Sequence, residues 1–167
     1  DAFAMESQTR AAAAIAAGRF DDQIVPVEVR KRRDTVAFAT DEHPKATTLD
    51  ALAGLRPAFQ KDGSVTAGNA SGLNDGAAAV VMATEAAAVA AGLTPAFRVL
   101  GYAHAGVRPE VMGIGPVPAV QNLLKKTGLK ASDFDVIESN EAFAAQAIAV
   151  NRALDLDPTK VNPNGGA

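Results

Sequence analysis

The spacing of hydrophobic and polar positions predicts a chain in which helices and strands alternate. Helical periodicity, N-cap residues and glycine stop signals predict helices over residues 1–17, 49–55, 84–92, 118–128 and 141–154. Short β-branched or continuous apolar runs predict strands over residues 24–29, 35–38, 77–82, 97–102 and a strand ending near 139. Alternation of this kind is typical of an α/β fold.

Two connecting segments have unusual compositions. Residues 64–76 are mostly small or polar, which lets the backbone approach another backbone or a ligand closely. Arg30 to Arg33 form a basic run between two predicted strands. We interpret this run as a solvated hairpin turn; the alternative is a contact with the phosphate of an anionic ligand.

Composition narrows the class of protein. The 167 residues are 48% hydrophobic and 21% charged, as in an ordinary globular protein. The formal net charge of −3 does not favour nucleic acid or an anionic membrane as a partner, and no apolar run approaches the roughly 18 residues of a membrane-spanning helix. Without cysteine, the sequence has no disulfide, thiolate metal site or cysteine nucleophile of its own. Because it starts within a predicted helix and stops after a glycine turn, we expect an internal segment of a longer protein.

Asn140 is the strongest candidate for a functional residue on local pattern alone. It follows the apolar pair Val136-Ile137 and precedes the helix predicted from Glu141. In open α/β sheets, functional groups lie just beyond the carboxyl ends of strands, where helix N-termini also point. The alternative is that Asn140 only caps the helix that follows it.

Other local signals for chemistry are weak. His43 and His104 lie in predicted loops without a second nearby histidine, so neither indicates a metal site. The glycine-rich motifs that bind nucleotide phosphates are missing. Ser71 and Ser139 could act as nucleophiles only beside a base, and the sequence identifies none.

Three motifs resemble those of the thiolases, or acetyl-CoA acetyltransferases. They are Ser-Asn-Glu-Ala-Phe-Ala at 139–144, Thr-Ala-Gly-Asn-Ala-Ser-Gly-Leu-Asn-Asp-Gly at 66–76 and Met-Gly-Ile-Gly-Pro-Val-Pro-Ala at 112–119. Residues 1–8 and 161–167 are also similar to thiolase sequence. The resemblance runs over the whole chain in the family's order.

The resemblance implies acyl transfer between coenzyme A thioesters. In this family one cysteine takes an acetyl group from acetyl-CoA, and a second cysteine removes an α-proton from another acetyl-CoA for a Claisen condensation. The reverse reaction is thiolysis of a 3-ketoacyl-CoA. By resemblance, Asn140 positions a water in an oxyanion hole. The family's two cysteines and its Gly-His-Pro histidine have no counterpart in this sequence, so we expect the segment alone to be inactive.

The resemblance also implies contacts with coenzyme A. Ala67 and Ser71 match positions that touch the pantetheine arm, and Phe59 matches an aromatic residue against CoA. Ala142 and Phe143 match the lining of the pantetheine tunnel. These assignments place small residues where the ligand needs room and aromatic residues where it needs apolar contact.

Two further assignments concern the ends of the ligand. Met112 matches a residue beside the short acyl pocket. Some family members use an arginine on the nucleotide part of CoA, and this sequence has none in the loop at 43–45. Lys45 is the candidate replacement there, with the run from Arg30 to Arg33 as the alternative.

The implied fold is a partial, thiolase-like layered α/β/α/β/α fold. Residues 1–75 would form the CoA-covering loop domain, 76–93 the last strand and helix of the N-terminal half, and 94–167 the first part of the C-terminal half. The family implies CoA thioesters as substrates, no further cofactor, and a cytoplasmic dimer or tetramer of identical chains. The alternatives are a non-catalytic CoA- or acyl-binding relative and, less favoured, a ketoacyl-synthase relative, because the asparagine motif replaces the histidines of that family.

Overall fold

A computed structural model describes residues 1–166, which form two compact units. The first unit comprises Asp1–Gly72 and the residues from Lys130 onward; the second is Leu73–Leu129. The helices are α1 (Ala2–Ala16), α2 (Leu49–Ala53), α3 (Glu85–Ala90), α4 (Pro116–Thr127) and α5 (Ala144–Ala153), with 3₁₀ turns at Pro109–Ile114 and Ala131–Asp133. Two strands, β1 (Val27–Lys31) and β2 (Asp34–Phe38), form an antiparallel hairpin.

The core of the first unit lies where α1 contacts α5. Ala11 and Ala14 are buried on α1, and Ala147 and Val150 are buried on α5. Alanine side chains are small enough to let two helices pack closely, which explains why both helices are rich in alanine. The segment that follows α5 is tied to α1 by Arg10, whose Nη1 donates to the carbonyl oxygen of Val161 at 2.7 Å.

Two N-cap residues predicted from the sequence, Thr48 and Thr84, are confirmed. The Oγ1 of Thr48 accepts a hydrogen bond from Ala51 N at 3.1 Å, and Thr84 caps α3 in the same way. The helix α4 begins at Pro116, two residues before the predicted start, and ends before Gly128 in the left-handed region at φ 75°. Proline suits the first helical turn because its missing N–H would have no partner there.

The hairpin confirms a turn within the basic run, but a shorter one than predicted, because Arg30 and Lys31 belong to β1. Val27 pairs with Phe38, and Lys31 pairs with Asp34, which leaves a two-residue turn at Arg32-Arg33. Pro26 precedes β1, so its missing N–H costs no ladder bond.

Two predicted strands, 77–82 and 97–102, are wrong, because both segments are irregular. The side chains of Val81 and Phe97 are each 95% exposed. A strand is stable only when a neighbour completes its hydrogen-bond ladder, and among residues 1–166 neither segment has a paired partner. The predicted strand before Ser139 is reduced to a single parallel bridge between Ile137 and Val161.

None of the helices in the described part of the chain combines the length and the apolar character that crossing a membrane would require.

Candidate functional site

Asn140 lies in the segment that joins the Ile137–Val161 bridge to α5. The helix begins at Ala144 with Phe143 as its N-cap residue, three positions later than predicted. The alternative that Asn140 caps this helix is therefore wrong. Asn140 is exposed, and none of the side-chain hydrogen bonds found within residues 1–166 involves its amide. Its amide is therefore free to bind a ligand or a water.

The residues on either side of Asn140 are held by one buried side chain, that of Asn162. Its Oδ1 accepts from Ser139 N at 2.7 Å, and its Nδ2 donates to Ser139 O at 2.7 Å. The same Nδ2 donates to Glu141 Oε1 at 2.6 Å. Asn162 is only 2% exposed. Sequence reasoning gave Asn162 no role, although the segment from Val161 onward carried part of the family resemblance.

The small-residue loop runs alongside the segment that follows Asn140. Ser71 N donates to Ala142 O at 3.0 Å, and Ala144 N donates to Asn69 O at 2.9 Å. Ala70 and Phe143 form an antiparallel bridge between these two bonds. Three of the predicted CoA contacts, Ser71, Ala142 and Phe143, are therefore brought together.

Phe59 belongs to the same cluster. Its ring packs edge-to-face against the ring of Phe143, with centroids 6.0 Å apart and an interplanar angle of 76°. Such a pair contributes about 0.5–1.5 kcal/mol beyond its buried area. Phe59 nevertheless remains 74% exposed, so most of its ring surface is open to contact. Ala67, at the tip of the small-residue loop, is also exposed.

Asn69 and Gly68 give the loop its shape. Asn69 is 8% exposed; its Oδ1 accepts from Thr66 N at 2.8 Å, and its Nδ2 donates to Ser64 O and Asp1 Oδ1, each at 2.9 Å. A Cβ atom at Gly68 would lie 2.5 Å from methyl groups of Leu52 and of Leu55. The loop therefore sits directly on α2 and the residues just after it, and the predicted close approach of its small residues is observed at Gly68.

Two small cavities lie in the first unit. One has a volume of about 40 Å³ and is lined by Phe3, Ala4, Ser7, Gln8, His43, Gly68, Asn69, Ala70, Ser71, Glu141, Ala144 and Gly166. The other has a volume of about 100 Å³ and is lined by Phe3, Glu6, Ser7, Arg10, Glu141, Asn151, Pro158, Val161 and Asn162. Both are of a size for water rather than for a cofactor. Phe3, Ser7 and Glu141 belong to both linings.

The other two predicted contacts are Lys45, in the first unit, and Met112. Lys45 is exposed, and its backbone N donates to Gln8 Oε1 at 3.0 Å. Its loop neighbour His43 lines the smaller cavity together with Ser71. Met112 belongs to the second unit, in the 3₁₀ turn Pro109–Ile114, where it is 77% exposed.

The described residues contain no group of three or more histidine, cysteine, aspartate or glutamate side chains placed to hold a metal ion. The chemistry available at Asn140 is therefore that of a neutral amide, which can donate and accept hydrogen bonds without adding charge.

Comparison with family models gives two matches. The model described as "Thiolase, N-terminal domain" matches residues 1–86, and "Thiolase, C-terminal domain" matches residues 93–167. The change from one model to the other falls between these stretches. The boundaries predicted from sequence, at 75/76 and 93/94, stay a prediction.

Curated relatives match over nearly the whole chain. The chain is 58% identical over 168 residues to the acetyl-CoA acetyltransferase of Escherichia coli. This match covers 100% of this chain and 43% of the relative. It is 60% identical over 167 residues to the beta-ketothiolase BktB of Cupriavidus necator. This match covers 99% of this chain and 42% of the relative. The chain thus spans less than half the length of these relatives.

Solved structures give the same result. The acetyl-CoA acetyltransferase of Bacillus anthracis matches with a TM-score of 0.97 and 55% identity, over 99% of this chain and 42% of that one. A human mitochondrial 3-ketoacyl-CoA thiolase in complex with CoA matches with a TM-score of 0.93 and 50% identity, over 100% of this chain and 41% of that one. These matches confirm the predicted partial thiolase α/β fold. The chain belongs to the thiolase family.

Proposed function

We propose that this chain forms the central part of an acetyl-CoA acetyltransferase, in which Asn140 contributes to an oxyanion hole. The observation that carries the proposal is the contrast at Asn140: its own amide has no hydrogen-bond partner among residues 1–166, while Ser139 and Glu141 beside it are anchored. A side chain that is exposed, uncharged and mounted on a fixed segment is suited to bind a water or a substrate oxygen. The family relationship supports this role.

The chemistry follows from charge development in acyl transfer. Both the attack on a thioester and the formation of an enolate place negative charge on the thioester oxygen. A preorganised hydrogen-bond donor aimed at that oxygen lowers the barrier, and its removal typically costs about 2.7–4 kcal/mol. A neutral amide such as that of Asn140 can hold a water there without competing with the negative charge. The acyl-accepting and proton-abstracting thiols would come from residues outside these 167, which contain no cysteine.

The cluster of Phe59, Phe143, Ala142 and Ser71 supports a pantetheine site at the small-residue loop. Its exposed aromatic surface offers apolar contact to an acyl-pantetheine chain, and the side chains of Ser71 and Ala142 on the paired backbones next to it are small. We assign Ala67 to the same site. Met112 remains our candidate beside the acyl group, and Lys45 our candidate near the nucleotide.

The substrates in this proposal are acetyl-CoA and, in the reverse direction, a 3-ketoacyl-CoA. The relatives, an acetyl-CoA acetyltransferase and a beta-ketothiolase, support this choice, as does the similar thiolase structure in complex with CoA. We further propose that the full-length protein needs no cofactor besides these thioesters, acts in the cytoplasm, and assembles as a dimer or tetramer of identical chains.

Substitution of Asn140 by alanine in the full-length protein tests the proposal. We expect kcat for acetoacetyl-CoA formation to fall by about 10²–10³-fold, as for the loss of one oxyanion-hole donor, while the KM for acetyl-CoA changes little. The matched control is Asn122→Ala, which removes an exposed amide from α4 and should leave kcat unchanged.

Two results would count against this assignment. An unchanged kcat in Asn140→Ala would remove Asn140 from the oxyanion hole. A full-length, unsubstituted protein that binds CoA in calorimetry yet turns over no thioester would favour the alternative of a non-catalytic CoA-binding relative.

A further inference from the structure

We propose that Asn162 is a positioning residue for Asn140: its side chain completes a hydrogen-bond ladder that fixes the backbone on both sides of the functional amide. This inference rests on the proposed function of Asn140. It concerns a residue in contact with the neighbours of Asn140 and not with substrate.

The ladder starts as an ordinary parallel pairing. Ile137 N donates to Lys160 O at 2.9 Å, and Asn162 N donates to Ile137 O at 2.9 Å. Continued pairing would next give Ser139 a backbone partner. At Asn162, however, the backbone turns into the left-handed region with φ 46°, and the chain leaves the strand direction.

The side chain of Asn162 takes the place of the missing backbone. An asparagine side chain carries one carbonyl oxygen and one N–H₂ group, the same kinds of acceptor and donor as a peptide unit. Its Oδ1 accepts from Ser139 N and its Nδ2 donates to Ser139 O, both at 2.7 Å. The pairing of the segment is thus extended by one residue beyond the point where the main chain departs.

This pairing determines the position of Asn140. The carbonyl of Ser139 belongs to the peptide plane that joins it to Asn140, so the bond to Asn162 Nδ2 fixes the orientation of that plane. The second bond of Nδ2, to Glu141 Oε1 at 2.6 Å, anchors the residue that follows. Misplacement of a reacting or binding group by about 1 Å can cost about 10²-fold in rate.

Two independent requirements meet at position 162. The first is backbone freedom, because φ of 46° is unfavourable for most residues but accessible to glycine, asparagine and aspartate. The second is the amide side chain. Gly166 adds to the constraint, since a Cβ there would collide with Asn162 Nδ2 and with the carboxyl group of Glu141. Only asparagine satisfies both requirements with an uncharged group that donates and accepts.

The variants separate these requirements. Asn162→Gly keeps the left-handed backbone but removes both bonds to Ser139, so we expect kcat to fall by up to about 10²-fold with little change in KM. Amide hydrogen exchange at Ser139 should become faster in the same variant. Asp155→Gly is the control, because Asp155 is also non-glycine at positive φ, 50°, and should change neither quantity.

Replacement of Asn162 by aspartate gives a pH dependence of kcat that a purely structural role of Asn162 would not produce. Asn162→Asp retains the backbone preference and an acceptor, but at neutral pH it loses the donor and sets a carboxylate beside Glu141. The charged groups that face position 162 are Glu141 and Arg10, whose Nη1 donates to Asn162 O at 3.3 Å. Protonation of the introduced carboxyl restores a donor towards Glu141. The ratio of variant to wild-type kcat should therefore rise as the pH is lowered, while the same ratio for Asn162→Gly stays flat.

These experiments distinguish failure of the positioning role of Asn162 from failure of the proposed function. An unsubstituted full-length protein without thiolase activity refutes the proposed function, while hydrogen exchange at Ser139 still tests the pairing. The positioning role is overturned if Ser139 exchange is the same in Asn162→Gly and wild type. It is equally overturned if Asn140→Ala abolishes turnover but Asn162→Gly behaves like Asp155→Gly.

Discussion

Three asparagines in the first unit show how burial separates supporting residues from functional ones. Asn69 and Asn162 are 8% and 2% exposed, and the oxygen and nitrogen of each side-chain amide have protein partners. A buried amide without partners would cost free energy, so these two must hold backbone segments in place. Asn140 is exposed, and its amide is committed to none of the described residues. Among these three, only Asn140 combines exposure with an amide that no described residue binds, as our proposal for it requires.

A local hydrogen-bond pair lowers the pKa of Asp157 below its ordinary value of 3.8. The main cause is the Thr159 hydroxyl, which donates to Asp157 Oδ1 at 2.7 Å, followed by Thr159 N at 2.9 Å. We predict that Thr159→Ala raises this pKa towards the ordinary value, measured by NMR titration of the side-chain carboxyl. The depressed pKa stabilises the fold above the unfolded pKa, and this contribution is lost as the pH falls through the folded value. A titration curve unchanged by the substitution would contradict the assigned cause.

Sequence motifs located Asn140 but not Asn162, and the reason is physical. The role proposed for Asn140 follows from a short contiguous motif whose neighbours are themselves informative. The role proposed for Asn162 depends on a left-handed backbone and on a partner, Ser139, 23 positions earlier in the chain. Neither property is visible in the local sequence, where Asn162 looks like any polar residue in a turn.

Helices were easier to predict than strands because their hydrogen bonds are local. In α4, proline at the start and Gly128 at the end mark bonds made within the same twelve residues. The apolar runs at 77–82 and 97–102 have strand composition, yet the partners that a ladder requires are not among the residues described. Composition therefore identifies strand-forming potential, whereas pairing decides whether the strand exists.

The N-cap of α2, Thr48, makes a contribution to stability that can be measured directly. The Thr48 hydroxyl satisfies the N–H of Ala51 in α2, a five-residue helix that buries Leu52 beneath the small-residue loop. We predict that Thr48→Ala lowers the free energy of unfolding by about 1 kcal/mol, because one helix N–H loses its partner. Urea denaturation monitored by circular dichroism measures this change. Thr48→Ser is the matched control, since it keeps the hydroxyl; an equal loss in both variants would show that the cap is not responsible.

At the scale of the whole molecule, the two units differ in how much apolar surface they bury. Seven buried hydrophobic residues lie in the first unit: Ala11, Ala14, Leu52, Ala144, Ala147, Val150 and Val161. In the second unit, within the described residues, only Ala88 is in this class, and large side chains such as Val80 remain exposed. Regions with few buried apolar contacts open at low free energy.

This difference predicts a gradient of backbone protection in the isolated 167-residue chain. Amides of α1 and α5, which pack on each other, should exchange with deuterium more slowly than those of α3 and α4, as measured by mass spectrometry at neutral pH. In the full-length protein of our proposal, we expect further residues to cover the exposed apolar side chains of the second unit, because burial of apolar surface is favourable. Protection of α3 and α4 should then rise to the level of α1 and α5. Equal protection of all four helices in the isolated chain would contradict the difference in burial. Unchanged protection in the full-length protein would show that the second unit stays open to solvent there.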